Sequence, residues 1–264
     1  MEKLLVFIPA YNCEKQVVRV LDQLLAEEIQ PWLGECIVVN NRSKDQTEDA
    51  VVNWMKAHPE QKVTLFRNRE NYGLGGSHKV AFQYAVKKNY AHVVVLHGDD
   101  QGAIKDLLPV LRSEEYLRYD CCLGSRFLKG SDIHGYSPLR IFGNFGFNCI
   151  YSVTTGHLVT DIGSGLNLYA VEPLKTEYYK KLPDTIYFNA CILLSQYAQH
   201  MKIRYFPITW REDDQVSNAK LFNLSVNLLK LCGIYLAGKK KFLQREWRTD
   251  PVASYDSDVI AQNP

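Results

Sequence analysis

Four short, β-rich apolar runs, Leu4–Ile8, Cys36–Val39, Val63–Phe66 and Val93–Leu96, alternate with stretches of helical character at Glu14–Ala26, Thr47–His58 and Ser77–Asn89. In the first of these stretches Val17, Val20, Leu21, Leu24 and Leu25 recur at helical spacing and form one apolar stripe. Strands that alternate with helices in this way predict an α/β fold, a mostly parallel sheet flanked by helices on both faces. Ligands of such sheets bind outside the carboxyl ends of the strands. Those ends carry Tyr11-Asn12, Asn40-Asn41, the segment Asn68 to Gly76, and His97-Gly98-Asp99-Asp100-Gln101. The strand pattern alone therefore locates a site.

The second half is less regular. Cys121–Gly124 reads as a strand ending in Ser125-Arg126, Pro138–Ser152 as a helix, and Gly163-Ser164-Gly165 as a turn before the strand-like Leu166–Ala170. A helix is expected over Ile186–Gln199 and a strand over Lys202–Ile208. From Leu221 to Leu243 the pattern is amphipathic, with Leu224, Leu228, Leu231 and Tyr235 on one side and Lys239-Lys240-Lys241 after it. Residues 1–220 are expected to form one domain, 221–248 an amphipathic segment that lies on a membrane surface or else packs on the domain or at an interface, and 249–264 a polar, frayed tail.

With 264 residues, the chain can bury a full core unaided. Its 31 basic and 29 acidic residues are too evenly balanced for a nucleic-acid coat protein. Seven cysteines lie scattered without a Cys-x-x-Cys pair, which fits a reducing cytoplasm better than a disulfide framework or a zinc site. Leu4–Ala10 is too short for a secretory signal, and no run approaches the roughly 18 apolar residues of a membrane span.

Several segments could carry chemistry, and each reads two ways. Asp99 and its neighbours after a buried strand suit a hard divalent cation and a diphosphate, or form a solvated turn with an N-cap. Asn71-Tyr72-Gly73-Leu74-Gly75-Gly76-Ser77-His78 opens a helix, where an anion can sit, or is an ordinary strand-to-helix turn. It is no dinucleotide fingerprint, since His78 stands in place of the third glycine. Arg126 and Arg140 could grip a phosphate near the binding edge, or make surface ion pairs. The segment from Trp210 to Gln215 is a flap or a solvated loop, and Arg211 to Asn218 could close over a donor.

Taken in order, these segments resemble a family 2 glycosyltransferase with the GT-A fold, over about residues 3–220. Pro9-Ala10-Tyr11-Asn12 is similar to the family's first strand end. The run Asn40-Asn41-Arg42-Ser43-Lys44-Asp45-Gln46-Thr47 resembles its nucleotide segment, and Asn71-x-Gly73 its next signature. His97-Gly98-Asp99-Asp100-Gln101 takes the place of the Asp-x-Asp metal motif. Gly124-Ser125-Arg126, Arg140 and Asp161-Ile162-Gly163-Ser164-Gly165-Leu166 resemble the dolichyl-phosphate mannosyltransferase-like branch. The resemblance implies Mn²⁺ or Mg²⁺ on Asp99 and Gln101. It implies a nucleotide sugar among Pro9, Ala10, Tyr11, Asn12, Asn40, Asn41, Ser43, Asn71, Gly73, His97 and Gly98. It also implies catalytic roles for Asp99, Arg126 and Arg140, and an acceptor side at Asp161, Ser164, Gly165 and Arg211.

Departures from the family pattern carry further expectations. Asn40 and Asn41 replace two aspartates, and an amide matches the N–H and carbonyl of uracil better than guanine, so a UDP sugar is favoured. His97 replaces the motif's first aspartate, which leaves the cation to Asp99 and Gln101, with Asp100 as a further candidate. The expected reaction is an inverting transfer to a polyprenyl phosphate, an acceptor that needs no strong base. The alternatives are transfer to a glycan hydroxyl, with Asp161 or Asp184 as base, and a nucleotide-sugar-binding subunit without turnover. A peripheral place on the inner face of the cytoplasmic membrane and a homo-oligomer are the accompanying expectations.

Overall fold

A computed structural model of the protein describes residues 3–212 and 221–264. Its main sheet has eight strands in the order β10-β3-β2-β1-β4-β7-β5-β8. The strands are β1 (Leu4–Ala10), β2 (Leu33–Asn40), β3 (Val63–Asn68), β4 (His92–Leu96), β5 (Cys121–Ser125), β7 (Leu166–Ala170), β8 (Ile203–Pro207) and β10 (Ser257–Gln262). β1 pairs in parallel with both β2 and β4, so the strand order reverses beside it and a crevice opens at their carboxyl ends. The crossovers are α1 (Gln16–Asp22), α2 (Thr47–Ala57) and α3 (Gly73–Lys87). A short side sheet pairs β6 (Asp132–His134) in parallel with β9 (Thr209–Arg211).

Consecutive side chains of β1 point to opposite faces and both faces are covered. Leu5 and Phe7 join a core with α3 and with α7 (Phe188–Ala198), whereas Leu4, Val6 and Ile8 join one with α1, α2 and α4 (Leu108–Arg112). That explains why β1, β2 and β4 read as continuous apolar runs.

Two C-terminal expectations are corrected. The segment 249–264 does not fray: β10 adds antiparallel to β3, and the Asn263 amide donates to the carbonyls of Met55 and His58 at the end of α2. The apolar stripe after residue 221 does not face outward either. In α8 (Leu221–Ala237), Leu228, Leu231 and Tyr235 are buried in the same core as α7, and Leu224 packs against it. The Lys239–Lys241 triplet forms the first turn of α9 (Lys239–Gln244), anchored by buried Phe242. No helix among the described residues is long and apolar enough to cross a membrane.

A buried ion pair fastens this C-terminal half to α3. Lys79 has no exposed side-chain surface and lies 2.6 Å from Asp184, with the Tyr255 hydroxyl at 3.0 Å. Burial pushes the lysine down to about 8, against the pull of Asp184. The Asp184 carbonyl in turn accepts from the Gly75 N–H at 2.8 Å. Asp184→Ala would leave the ammonium buried and unpaired, and since Asp184 is partly exposed we expect a loss of about 2 kcal/mol, or roughly 5 °C in Tm. Thermal melting checks it.

Candidate active site

The crevice holds a cavity of about 320 Å³ lined by Pro9, Ala10, Tyr11, Asn41, Asn71, Gly73, His97, Gly98 and Asp99. Its floor is a junction of strand ends: Gly98 N–H donates to the Pro9 carbonyl at 3.1 Å and Asn41 N–H to the Ala10 carbonyl at 2.9 Å. A Cβ on Gly98 would stand 2.8 Å from that Pro9 oxygen, so the close approach requires glycine. The buried Asn41 carbonyl oxygen accepts from Asn68 and from the Tyr72 N–H, both at 2.9 Å, and its amide donates to Asn71 at 2.8 Å. This network fixes the turn that opens α3.

Asn12, Asn40 and Ser43 lie behind that wall. Asn40 donates to Glu48 at 2.9 Å and accepts from the Ser43 N–H at 2.9 Å, while Asn12 N–H donates to the Ser43 hydroxyl at 3.0 Å. They shape the loop and are not among the cavity's lining, to which Asn41, Asn71 and half-exposed Tyr11 belong.

At the end of β4, His97 is largely enclosed, and burial followed by the Arg126 charge pushes its imidazole down to about 4. It is therefore neutral at pH 7, and its Nε2 is buried without a hydrogen-bond partner. Asp99 behaves oppositely: burial raises its carboxyl to about 6. A carboxylate held at that disadvantage, which accepts from the Gln101 backbone N–H at 3.3 Å, fits a hard oxygen-seeking cation. The described residues include no cluster of three or more His, Cys, Asp or Glu that could hold a metal. Asp100 is engaged elsewhere. It adopts the left-handed region at φ 58° and is taken up by Arg19 at 2.7 Å, Gln23 at 3.0 Å and Arg211 at 3.5 Å. Arg211, expected on the acceptor side, is thus turned to Asp100.

A second cavity of about 390 Å³ adjoins the first, with Ile186 in the wall of both. Arg126 and Arg140 line it together with the apolar Leu139, Phe147, Leu224 and Leu228 and the polar Asn144, Asn189 and Ser225. The buried Arg126 meets Asp161 through Nε at 2.7 Å and Nη2 at 2.8 Å, and its backbone N–H reaches the same carboxylate at 3.0 Å. Burial opposes the guanidinium charge, but Asp161 more than offsets this and its pKa rises. Tyr136 sits between the two arginines, accepting from Arg126 at 3.2 Å and lying 4.5 Å under Arg140. Arg140 itself pairs with Glu212. Ser164 is buried in a turn with Asn167, and the Gly165 carbonyl accepts from the His97 N–H at 2.9 Å, so both support the site from beneath.

Tyr136 was invisible as a site residue in the sequence, since a lone tyrosine in a loop carries no signal, and Glu212 stood out only as part of the charged segment from Trp210 to Gln215. Asp213 to Asn218 of the expected flap lie outside the described residues. A further cavity, about 860 Å³, lies between α4 and β8, and among the expected site residues only Arg211 lines it. An Arg204–Glu115 ion pair at 2.6 Å belongs to its lining, and the strand-end chemistry is elsewhere.

This geometry is that of a nucleotide-sugar transferase, and the comparisons agree. Residues 5–177 match the model for glycosyl transferase family 2, and the chain belongs to that family. It is 25% identical over 249 residues to a dolichyl-phosphate beta-glucosyltransferase of Trichomonas vaginalis, covering 88% of this chain and 71% of that one. The fold matches glucosyl-3-phosphoglycerate synthase from Mycobacterium tuberculosis in complex with UDP, at TM-score 0.59, 16% identity, and 88% and 80% coverage. It also matches a mannosyltransferase from Pyrobaculum calidifontis in complex with GDP-Man and Mn²⁺, at TM-score 0.59, 16% identity, and 89% and 62% coverage. The architecture is accordingly GT-A.

The two arginines should separate in thermal melts. Asp161→Asn leaves Arg126 buried without its counter-charge and is expected to cost about 3 kcal/mol, whereas Arg140→Ala at a half-exposed pair is expected to cost less than about 1 kcal/mol.

Proposed function

We propose that this enzyme transfers a sugar, with inversion, from a UDP sugar to a polyprenyl phosphate in a metal-dependent reaction. The observation that carries the reading is the second cavity, whose lining combines two arginines with the apolar Leu139, Phe147, Ile162, Leu224 and Leu228. That combination suits an anionic head on an apolar tail. An acceptor phosphate is ionised at pH 7, so no general base is needed. In keeping with this, Asp161 and Asp184 are both engaged in ion pairs. The cation, held by Asp99 and Gln101, would supply charge neutralisation to the diphosphate leaving group. The walls of the two cavities would hold donor and acceptor in line. The name of the Trichomonas relative and the Mn²⁺ bound by the Pyrobaculum neighbour support the acceptor and the metal.

A membrane surface is the partner that fits the outside of this cavity. The helix α5 (Pro138–Thr155) is inverted: Asn148, Tyr151, Thr154 and Thr155 face inward. Leu139, Phe142, Phe145 and Val153 are 77%, 79%, 53% and 84% exposed. Leu139 and Arg140 line the cavity from this helix, so an isoprenoid tail leaving it would emerge beside the apolar face. On this reading α5, and not α8, would carry the membrane-surface role, with the enzyme peripheral on a cytoplasmic membrane face.

The test is incubation with undecaprenyl phosphate and UDP or GDP sugars, with and without Mn²⁺, reading the mass of the lipid product. We expect a glycosyl phosphate lipid from a UDP sugar only with metal, and a loss of about 100-fold in kcat/KM for Arg140→Ala. Metal-dependent UDP binding without lipid product would favour a hydroxyl acceptor or a subunit without turnover. Equal calorimetric affinity for UDP and GDP would overturn the donor preference. In flotation assays, Phe142→Asp with Val153→Asp should abolish association with anionic vesicles.

A further inference from the structure

Arg126 and Arg140 share Tyr136 but their charges are balanced differently. Asp161 gives Arg126 both oxygens from a position with no exposed side-chain surface, so that pair is permanent. Glu212 meets Arg140 through Nη1 alone, and the two side chains are 18% and 31% exposed. The Glu212 backbone is fixed, its N–H donating to the His134 carbonyl at 3.1 Å, while the preceding Arg211 N–H donates to the Gln101 carbonyl at 3.0 Å. Gly135, at φ 73°, presses against the Glu212 carbonyl, where a Cβ would come within 2.4 Å. Any movement is therefore left to the Glu212 side chain. Its second oxygen already lies 3.5 Å from the Gln101 amide.

We infer that Glu212 is an internal stand-in for the acceptor phosphate, occupying Arg140 while the site is empty and turning to the Gln101 end when a phosphate monoester takes the arginine. The inference rests on the acceptor reading above and deepens it. One carboxylate leaves as one phosphate arrives, so Arg140 is never buried without a counter-charge. A carboxylate that stayed would repel the phosphate. Once turned, it lies beside Asp99 and Gln101, where a divalent cation attracts it. Cation and acceptor would then favour each other's binding, reciprocally. Glu212 acts through Arg140 and Gln101 and is a positioning residue.

The test is calorimetry of farnesyl phosphate and of phenyl phosphate with wild type, Glu212→Gln, Arg140→Ala and the double variant, in EDTA and in Mn²⁺. In EDTA, Glu212→Gln is expected to bind both probes about fivefold tighter than wild type, the value of a half-exposed ion pair. Arg140→Ala should erase that gain in the double variant, and Mn²⁺ should tighten the wild type more than Glu212→Gln. If Glu212→Gln, melting like wild type, binds both probes no tighter, the inference is overturned even where farnesyl phosphate binds and the lipid reading stands. If it gains for phenyl phosphate while no variant binds farnesyl phosphate, the exchange stands and the lipid reading fails.

Discussion

The pairing of Arg126 with Asp161 is the contact on which the arrangement of both cavities depends. Arg126 ends β5, and Asp161 begins the turn that leads into β7. Three N–H donors from one residue converge on one carboxylate, so that turn is locked to the sheet. The same turn carries Gly163, whose carbonyl takes a further Arg126 N–H at 3.3 Å, and Gly165, whose carbonyl holds the His97 backbone. A Cβ on Gly165 would stand 3.0 Å from the His97 ring. Arg126 and the end of β4 are thus tied through five residues of backbone. Buried ion pairs contribute little net stability, because desolvation offsets the attraction. What this one gives is position.

That reading reassigns the roles of the charged residues. The sequence placed Arg126 and Arg140 together as phosphate ligands, but four of the five guanidinium N–H groups of Arg126 are already engaged within the protein. Arg140 is the one whose partner can be exchanged. His97 shows a related shift. In the place of the metal motif's first acid stands a neutral side chain packed 6.0 Å from His78, so the carboxylate chemistry concentrates on Asp99.

The fold was legible where hydrophobic pattern decides it. β1 to β4 read as continuous apolar runs because both faces of each central strand are buried, and the crossover helices carry helical periodicity. β10 was not legible, because an edge strand is held by backbone hydrogen bonds and leaves little trace in composition; its Val259 is 55% exposed. The stripe on α8 was legible, but a stripe does not say what covers it. Likewise Asn40 and Asn41 stood out as substitutions, yet only the folded turn shows that the amide of Asn40 is consumed by Glu48 and Ser43. Side-chain orientation at a turn depends on tertiary neighbours that a local motif does not contain.

The helix α5 presents the same limit from the other side. By pattern it is apolar nearly all round, which ordinarily means a buried helix. Here its few polar side chains turn inward to local partners: Asn148 donates to the Thr160 carbonyl at 2.6 Å, and the Ser152 hydroxyl to the Asn148 carbonyl at 2.7 Å. Phe142 and Phe145 are left outside, while Phe147 packs against the core. Nothing in the fold's stability calls for that arrangement, since exposing Phe142 and Val153 forfeits burial that a polar residue would not miss. The same helix supplies Arg140 to the cavity. An exposed apolar face and a phosphate-facing arginine on one rigid element are what a lipid phosphate requires, its head inside the enzyme and its tail outside.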